Sequence, residues 1–272
     1  MTVLVMGATG NVGGAVVEAL SEQGVPVRAV SRSGREWPEG VEGYVGDAGD
    51  PDGLTAAASG VTGVFLMSGY AAEAKLLAAL GGDAHVVVLS SSSAPLGEHG
   101  NAMAGYHLAS EQAVQASGLD WTVLRPCSFQ SNLLRWNDQL EQGDVVRVPF
   151  GDVPSAMIDP ADIAAVAATA LSAGGHAGRT YRLSGPEALT PGDQLALLAT
   201  ALDRPLRLEA MPDDEARGTL PEDYADAFLE IFRGHPELEG QVHPTVEQVV
   251  GRRPAPLTAW IDRHRDDFPG PA

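Results

Sequence analysis

The chain has 272 residues, 44% of them hydrophobic, enough for one large α/β domain or one with a small appended lobe. Its 36 acidic and 17 basic residues give a formal net charge of -19, which argues against non-specific binding to nucleic acid or an anionic membrane, since both need a basic face. No apolar run approaches the roughly 20 residues that cross a bilayer, and the single cysteine, Cys127, rules out an internal disulfide framework.

The first apolar run, Val3–Met6, reads as a strand. It lies so close to Met1 that no secretory signal fits ahead of it, and with the lone cysteine this points to a reducing cytoplasm. Val27–Val30, Val64–Met67, Val86–Leu89 and Trp121–Leu124 repeat the pattern, with a weaker strand near Gly43–Val45. Short, near-continuous runs of this kind suit strands buried on both faces of a parallel sheet. Between them, Val12, Val16, Val17 and Leu20 form an apolar helical stripe. Asp50-Pro51 opens a second helix by its cap-then-proline signature. Residues 71–81 and 104–117 give two more. Asp159-Pro160 opens a helix with the stripe Ile163, Val166, Ala167, Ala170 and Leu171, which explains Asp159 and Asp162 as capping groups. Thr180–Leu183 reads as a strand, Thr190-Pro191-Gly192-Asp193 as a helix start, 205–210 as a short strand and 211–223 as an acidic loop. Helices near 222–233 and 257–267 finish the chain.

This alternation predicts an α/β fold with a doubly wound parallel sheet of Rossmann type and a small C-terminal substrate-covering lobe. Residues 1–150 form the expected dinucleotide-binding core. Residues 151–272 form a mixed segment that completes the core and builds the lobe, the whole being one compact unit.

Chemistry concentrates first in Gly7-Ala8-Thr9-Gly10-Asn11-Val12-Gly13, which follows a strand and opens an amphipathic helix. Gly7 permits a tight turn, Gly10 lets the backbone approach a pyrophosphate, and Gly13 lets helix and strand pack closely. The phosphates sit against backbone N–H groups at the helix N-terminus, so Thr9, Asn11 and Val12 join the expected cofactor set. The second strand runs into Ser31-Arg32-Ser33, with Arg35 close behind and no acid at its tip. A carboxylate there would favour NAD, whereas a guanidinium suits a 2′-phosphate. The expected cofactor is therefore NADP(H).

These residues resemble the atypical short-chain dehydrogenase/reductase superfamily, most closely its NmrA-like branch. The resemblance runs through Gly46-Asp47, Leu89-Ser90-Ser91-Ser92, Glu111, the segment Ser117-Gly118-Leu119-Asp120-Trp121-Thr122-Val123-Leu124-Arg125-Pro126, Phe129, Asn132, Ile158-Asp159, Asp162-Ile163-Ala164 and Ser184-Gly185-Pro186. It implies a reductase of quinones or dyes, or in a second reading a non-catalytic protein that senses NADP(H). Asp47, Ser68 and Ser90 complete the cofactor set it implies.

The chain departs from the superfamily where chemistry is usually done. The Tyr-x-x-x-Lys pair is missing: alignment on Glu111 puts Met103 at the tyrosine position and His107 at the lysine position. Lys75 is the only lysine, and its fourth preceding residue is Ala71. Reducing an isolated ketone makes a strongly basic alkoxide that needs a positioned acid. Reducing a quinone makes a stabilised anion that takes its proton from water. The expected substrate is therefore a small quinone-like or extended aromatic acceptor, with hydride transfer driven by orientation. His107 and Ser91 are the candidate catalytic groups, and Phe129, Asn132, Leu133 and Trp136 the candidate substrate pocket. Phe228 and Phe232, four residues apart, suit core packing better than a pocket roof. No histidine or cysteine spacing suggests a metal. The expected state is monomer or homodimer, without nucleic-acid or membrane partners.

Overall fold

The fold was analysed in a computed structural model, which describes residues 1–46, 51–70, 73–220 and 224–270. Contacts divide the chain into two units. Unit 1 comprises Met1–Glu98, Ala104–Pro126 and Pro160–Arg182; unit 2 comprises His99–Met103, Cys127–Asp159 and Leu183–Ala272. The boundary expected at residue 150 thus falls inside unit 2, and the segment after Pro160 returns to unit 1 before the chain leaves it again.

Unit 1 is built on a sheet of seven strands in the order β3-β2-β1-β4-β5-β6-β8. These are β1 (Val3–Val5), β2 (Val27–Ser31), β3 (Val41–Val45), β4 (Gly63–Met67), β5 (His85–Leu89), β6 (Asp120–Pro126) and β8 (Arg179–Leu183). Every pair from β3 across to β6 is parallel. The valine-rich runs are buried as their lack of alternation requires: β1 is buried throughout, as are Val86, Val87 and Val88 of β5. Helix α1 (Asn11–Glu22) turns Val12, Val16, Val17 and Leu20 inward and packs against α6 (Pro160–Ser172). Helices α2 (Pro51–Ala58), α3 (Glu73–Ala79) and α4 (Ala102–Ala116) contribute Leu54, Leu76, Leu77 and Val114 to one core with Leu4, Val64 and Val86. The strand order reverses between β1 and β4. At such a switch point the crevice outside the carboxyl ends of the strands is open to a ligand.

Unit 2 has its own core of Leu133, Leu140, Val146, Leu195, Leu198, Trp260 and Ile261. A two-stranded parallel sheet, β7 (Val145–Val148) with β9 (Arg207–Ala210), belongs to it. Around it lie α5 (Asn137–Leu140), α7 (Pro191–Leu202), α8 (Asp213–Thr219), α9 (Ala225–Leu229), α10 (Glu237–Gly240), α11 (Thr245–Val250) and α12 (Leu257–Arg263). The start of α7 is the capping box its sequence announces, with Thr190 and Asp193 each accepting from the other's backbone N–H. The acidic stretch expected as loop instead contains α8. Asp213, Asp214 and Glu215 occupy its first turn and Arg217 its last, so the charges complement the helix dipole. Among the described residues no helix is long and apolar enough to cross a membrane.

Candidate functional site

The turn after β1 is shaped by glycines. Gly7 has φ +64, and a Cβ there would stand 2.5 Å from Met67 Sδ. The N–H of Gly10 donates to the Gly7 carbonyl at 2.9 Å and closes the turn. A Cβ on Gly13 would lie 2.2 Å from that same carbonyl oxygen. The α1 backbone therefore reaches the end of β1 only because position 13 has no side chain. Gly10 is the N-cap of α1; no side chain caps this end, and no acidic residue stands in its first turn. The helix end keeps its positive character, as a pyrophosphate requires. Thr9, Gly10 and Asn11 are exposed on the turn. Val12 has its side chain in the core, so it can serve a ligand only through its backbone.

At the tip of β2, Ser31 is buried and its hydroxyl donates to the Ser33 carbonyl at 2.7 Å. It shapes the loop instead of facing outward. The Arg35 guanidinium lies 4.8 Å over the Trp37 ring. Arg32 is exposed, and no partner for it exists among the described residues. Of the two arginines, Arg32 is the one available to a 2′-phosphate. Asp47, expected to touch cofactor, lies outside the described residues, as does Asp50 before α2.

Further along the same edge the polar groups are largely occupied by one another. Ser68 Oγ donates to the Leu89 carbonyl at 2.5 Å. Ser90, expected to meet cofactor, is buried and donates its hydroxyl to Glu111 on α4. Arg125 of β6 grips Glu111 with two hydrogen bonds, 2.9 and 2.6 Å. Ser91, half-buried, pairs its hydroxyl with that of Ser93 at 2.9 Å. His107, one turn before Glu111, is half-buried with Nδ1 fully covered and unpartnered. Burial lowers its pKa to about 4, against the opposing pull of Glu111, so the imidazole is neutral at pH 7. Its ring centroid lies 4.0 Å from that of Tyr106.

Two groups at this edge carried no sequence signal. Glu73 is buried and accepts from Ser110 Oγ at 2.6 Å, and Ser110 in turn accepts from the Gly69 N–H at 2.9 Å. Burial pushes the Glu73 carboxyl up in pKa. The partners lie 37 and 41 residues apart, so only the fold brings them together. The Glu111–Arg125 pair was within reach, since both residues carry the family resemblance, but nothing in their spacing joins them.

In unit 2 the expected substrate pocket is only partly preserved. Phe129 is extended, bridges Ile158 and heads a 3₁₀ helix, Gln130–Trp136. That helix turns Leu133 fully inward, 1% exposed, into the core around Trp260, and Trp136 packs against the same cluster. Leu133 is therefore a packing residue, and Trp136 packs on the same core while keeping part of its surface open. Phe129 and Asn132 remain half-buried. Cys127 is buried, with its thiol directed at the Leu238 carbonyl, 3.5 Å away. Asp159 is buried, stands just before α6 and pairs with Arg263. Among the described residues no cluster of three or more His, Cys, Asp or Glu could hold a metal ion.

The family model for NAD(P)H-binding proteins matches residues 7–173, from the phosphate turn to the end of α6. The chain belongs to this family, in the NmrA-like branch of the atypical short-chain dehydrogenase/reductases. It is 38% identical to the (4-alkanoyl-5-oxo-2,5-dihydrofuran-3-yl)methyl phosphate reductase of Streptomyces griseus subsp. griseus, over 98% of this chain and 99% of the relative. It is 30% identical to the NAD(P)H azoreductase of Xenophilus azovorans, again over 98% and 99%. The fold matches the NADPH complex of an Escherichia coli NADPH-dependent quinone oxidoreductase with a TM-score of 0.79 at 24% identity, over 97% of this chain and 99% of that one. It also matches a Citrobacter triphenylmethane reductase with NADP(H), TM-score 0.76 at 22% identity, over 98% and 100%. The protein is an NAD(P)H-dependent oxidoreductase, and its glycine turn fits the dinucleotide that the family binds.

Proposed function

We propose that this reductase passes hydride from NADPH to a conjugated acceptor, quinone-like or an extended aromatic system, whose reduced form is a resonance-stabilised anion. The observation that carries this reading is His107, a neutral imidazole where the superfamily places a lysine. Ser90 cannot take the missing acid's place, because Glu111 holds its hydroxyl. The nicotinamide supplies two electrons and one hydrogen as hydride. The second proton comes from water, which suffices for a hydroquinone or enolate but not for an alkoxide.

The Streptomyces griseus relative is named for a substrate in the same chemical class. In a 4-alkanoyl-5-oxo-2,5-dihydrofuran the ring double bond is conjugated with two carbonyls, so hydride addition again leaves a delocalised enolate. In this reading the protein's residues hold and orient. The turn Gly7–Gly13 seats the pyrophosphate, and Arg32 the 2′-phosphate. His107 and Ser91 offer neutral hydrogen bonds to the acceptor.

Steady-state NADPH oxidation against matched quinones, acyl-butenolides and aliphatic ketones tests the proposal. Quinone kcat/KM should exceed ketone kcat/KM by about 10²–10⁴, the usual worth of a general acid. Arg32→Ala should weaken NADPH binding about tenfold or more while leaving NADH unchanged. Brisk ketone reduction that collapses in Tyr106→Phe would make Tyr106 the acid and overturn the reading. Tight NADPH binding with no turnover on any acceptor would replace it with a sensing role.

A further inference from the structure

The strand order of unit 1 reverses between β1 and β4, so the turns that leave these two neighbouring strands flank the crevice at the switch point. The turn after β1 is the phosphate turn. The turn after β4, residues 67–70, presses directly on it. A Cβ on Gly7 would stand 2.5 Å from Met67 Sδ and 3.2 Å from Tyr70 Oη. Gly7 is therefore required by its neighbour as well as by its own φ of +64.

The second turn is held by groups that lie far from it in sequence. Ser68 fixes its start, with N–H and hydroxyl both donating to the Leu89 carbonyl, at 3.2 and 2.5 Å. Gly69 has φ +87, and the Tyr106 ring would lie 3.1 Å from a Cβ there. The Gly69 N–H donates to Ser110 Oγ at 2.9 Å, and Ser110 donates its own hydroxyl to Glu73 Oε2 at 2.6 Å. Glu73 also donates its backbone N–H to the Tyr70 carbonyl at 3.1 Å. It thus grips the turn twice, by main chain at Tyr70 and by carboxyl, through Ser110, at Gly69. A hydroxyl rotates to suit its partners, and with its proton committed to Glu73 the lone pairs of Ser110 are left to face Gly69. A glutamate in the first turn of a helix gains from the dipole equally well in solvent. Glu73 is instead 7% exposed, with Oε1 covered and unpartnered among the described residues. Burial on such terms is costly, and helix capping alone does not require it.

We propose that Glu73 is a positioning residue for the dinucleotide. Acting through Ser110, it holds the turn 67–70 against Gly7 and so keeps the phosphate turn in the shape that seats the pyrophosphate. Where that turn is loose, only the molecules that have it in place bind, and the apparent dissociation constant rises by the reciprocal of their fraction. The pyrophosphate is common to NADH and NADPH, so both cofactors feel the change alike. The proposal is independent of which acceptor the enzyme reduces.

The test is fluorescence titration of NADPH and of NADH, with thermal melts and steady-state kinetics beside it. Ser110→Ala should raise both dissociation constants by one common factor of about three to ten, the worth of one hydrogen bond. KM for NADPH should rise while kcat at saturating NADPH does not fall. Glu73→Leu should act in the same way, and the double variant should be little worse than either single one, because both break one chain of contacts. Glu73→Gln keeps an acceptor for the Ser110 hydroxyl and should bind both cofactors as the wild type does. If Glu73→Leu does not fold, Ser110→Ala, which removes a single buried oxygen, decides. A lower melting temperature with both affinities unchanged in Ser110→Ala would make the pair scaffold alone and overturn the proposal. A loss for NADPH but not for NADH would place the effect at the 2′-phosphate and overturn it too. So would a Glu73→Gln protein as weak as Glu73→Leu, since the chain of hydrogen bonds would then not be what positions the turn.

Discussion

The phosphate turn and the Ser90–Glu111–Arg125 cluster lie along the carboxyl edge of one sheet and are built from opposite materials. The turn is backbone with side chains excluded: Gly7, Gly10 and Gly13 leave room, and neither a side-chain cap nor an acidic residue occupies the start of α1. The cluster is side chain throughout, a carboxylate 1% exposed and held by a guanidinium and a hydroxyl. The first arrangement keeps hydrogen-bonding capacity for a ligand. The second uses it up internally and becomes scaffold. What is left for an acceptor between such satisfied groups is neutral: His107 and the Ser91–Ser93 pair. In the proposed reading, an edge so furnished would orient a substrate without protonating it.

The sharpest way to break this comparison is to add one methyl group to the turn. At Gly13 a Cβ would meet the Gly7 carbonyl at 2.2 Å, and backbone cannot yield as a flexible side chain can. Gly13→Ala should abolish NAD(P)H binding and destabilise the fold by about 1–3 kcal/mol, the usual cost of overpacking. At Gly10 the corresponding distance is 3.3 Å, which a shift of a few tenths of an ångström relieves. Gly10→Ala should therefore weaken the cofactor while the melting temperature barely moves. Fluorescence titration and thermal melts separate the two outcomes. Retained NADPH affinity in Gly13→Ala would show that the phosphates bind elsewhere.

The turn was legible in the sequence because its requirements are mostly local: Gly10 and Gly13 act against the Gly7 carbonyl, and Gly7 through its own positive φ. The β–α rhythm of unit 1 was legible for the same reason, since buried parallel strands show as unbroken valine runs, and α7 announced itself by its cap. The errors have a common physical origin. Ser90 was read as a ligand group because a serine ending a strand gives no hint that a carboxylate 21 residues on will claim its hydroxyl. Leu133 was read as pocket because a 3₁₀ helix has a three-residue period, and apolar residues on it carry no clear face in sequence. Strand β7 has only four residues, and its partner β9 arrives some 60 positions later. The acidic run 213–215 suggests solvent exposure equally well as loop or as the first turn of α8. Burial of Phe228 and Phe232 was anticipated, but the parallel arrangement of their rings was not.

The cluster should show the opposite split, a large loss of stability with little loss of binding. Arg125→Ala leaves Glu111 buried with Ser90 as its remaining hydrogen-bond partner among the described residues, and an uncompensated buried charge costs about 3–5 kcal/mol. The melting temperature should fall accordingly, while NADPH affinity changes less than threefold, because the cluster is scaffold. Pairing Arg125→Met with Glu111→Gln removes both charges and keeps an acceptor for the Ser90 hydroxyl, so the double variant should regain most of the loss. Unchanged stability in Arg125→Ala would mean that Glu111 is solvated or protonated in the folded protein. A collapse of NADPH affinity in the stable double variant would show that these groups reach the cofactor and that the division between turn and cluster is wrong.

At neutral pH the smallest expected effect concerns His107, and its pH dependence decides whether the neutral character of this edge is real. The unfolded chain takes up the imidazole proton near the ordinary value of 6.5, whereas the folded chain does so only at about 4. Between these values the folded state binds fewer protons than the unfolded state, so stability is lost as pH falls from 6.5 towards 4. The full difference amounts to roughly 3–3.5 kcal/mol at the acid end. Other groups titrate in the same range, so the informative quantity is the difference from His107→Gln, which cannot ionise. Wild type should lose more stability than His107→Gln between pH 7 and pH 4.5, and the two should respond alike above pH 7. In the same range, quinone kcat/KM should show no inflection near 6.5 that disappears in the variant. Such an inflection would mean that His107 carries a proton during turnover and stands in for the missing lysine after all. Ketones would then become plausible substrates, and the preference for acceptors that form stabilised anions would lose its physical basis.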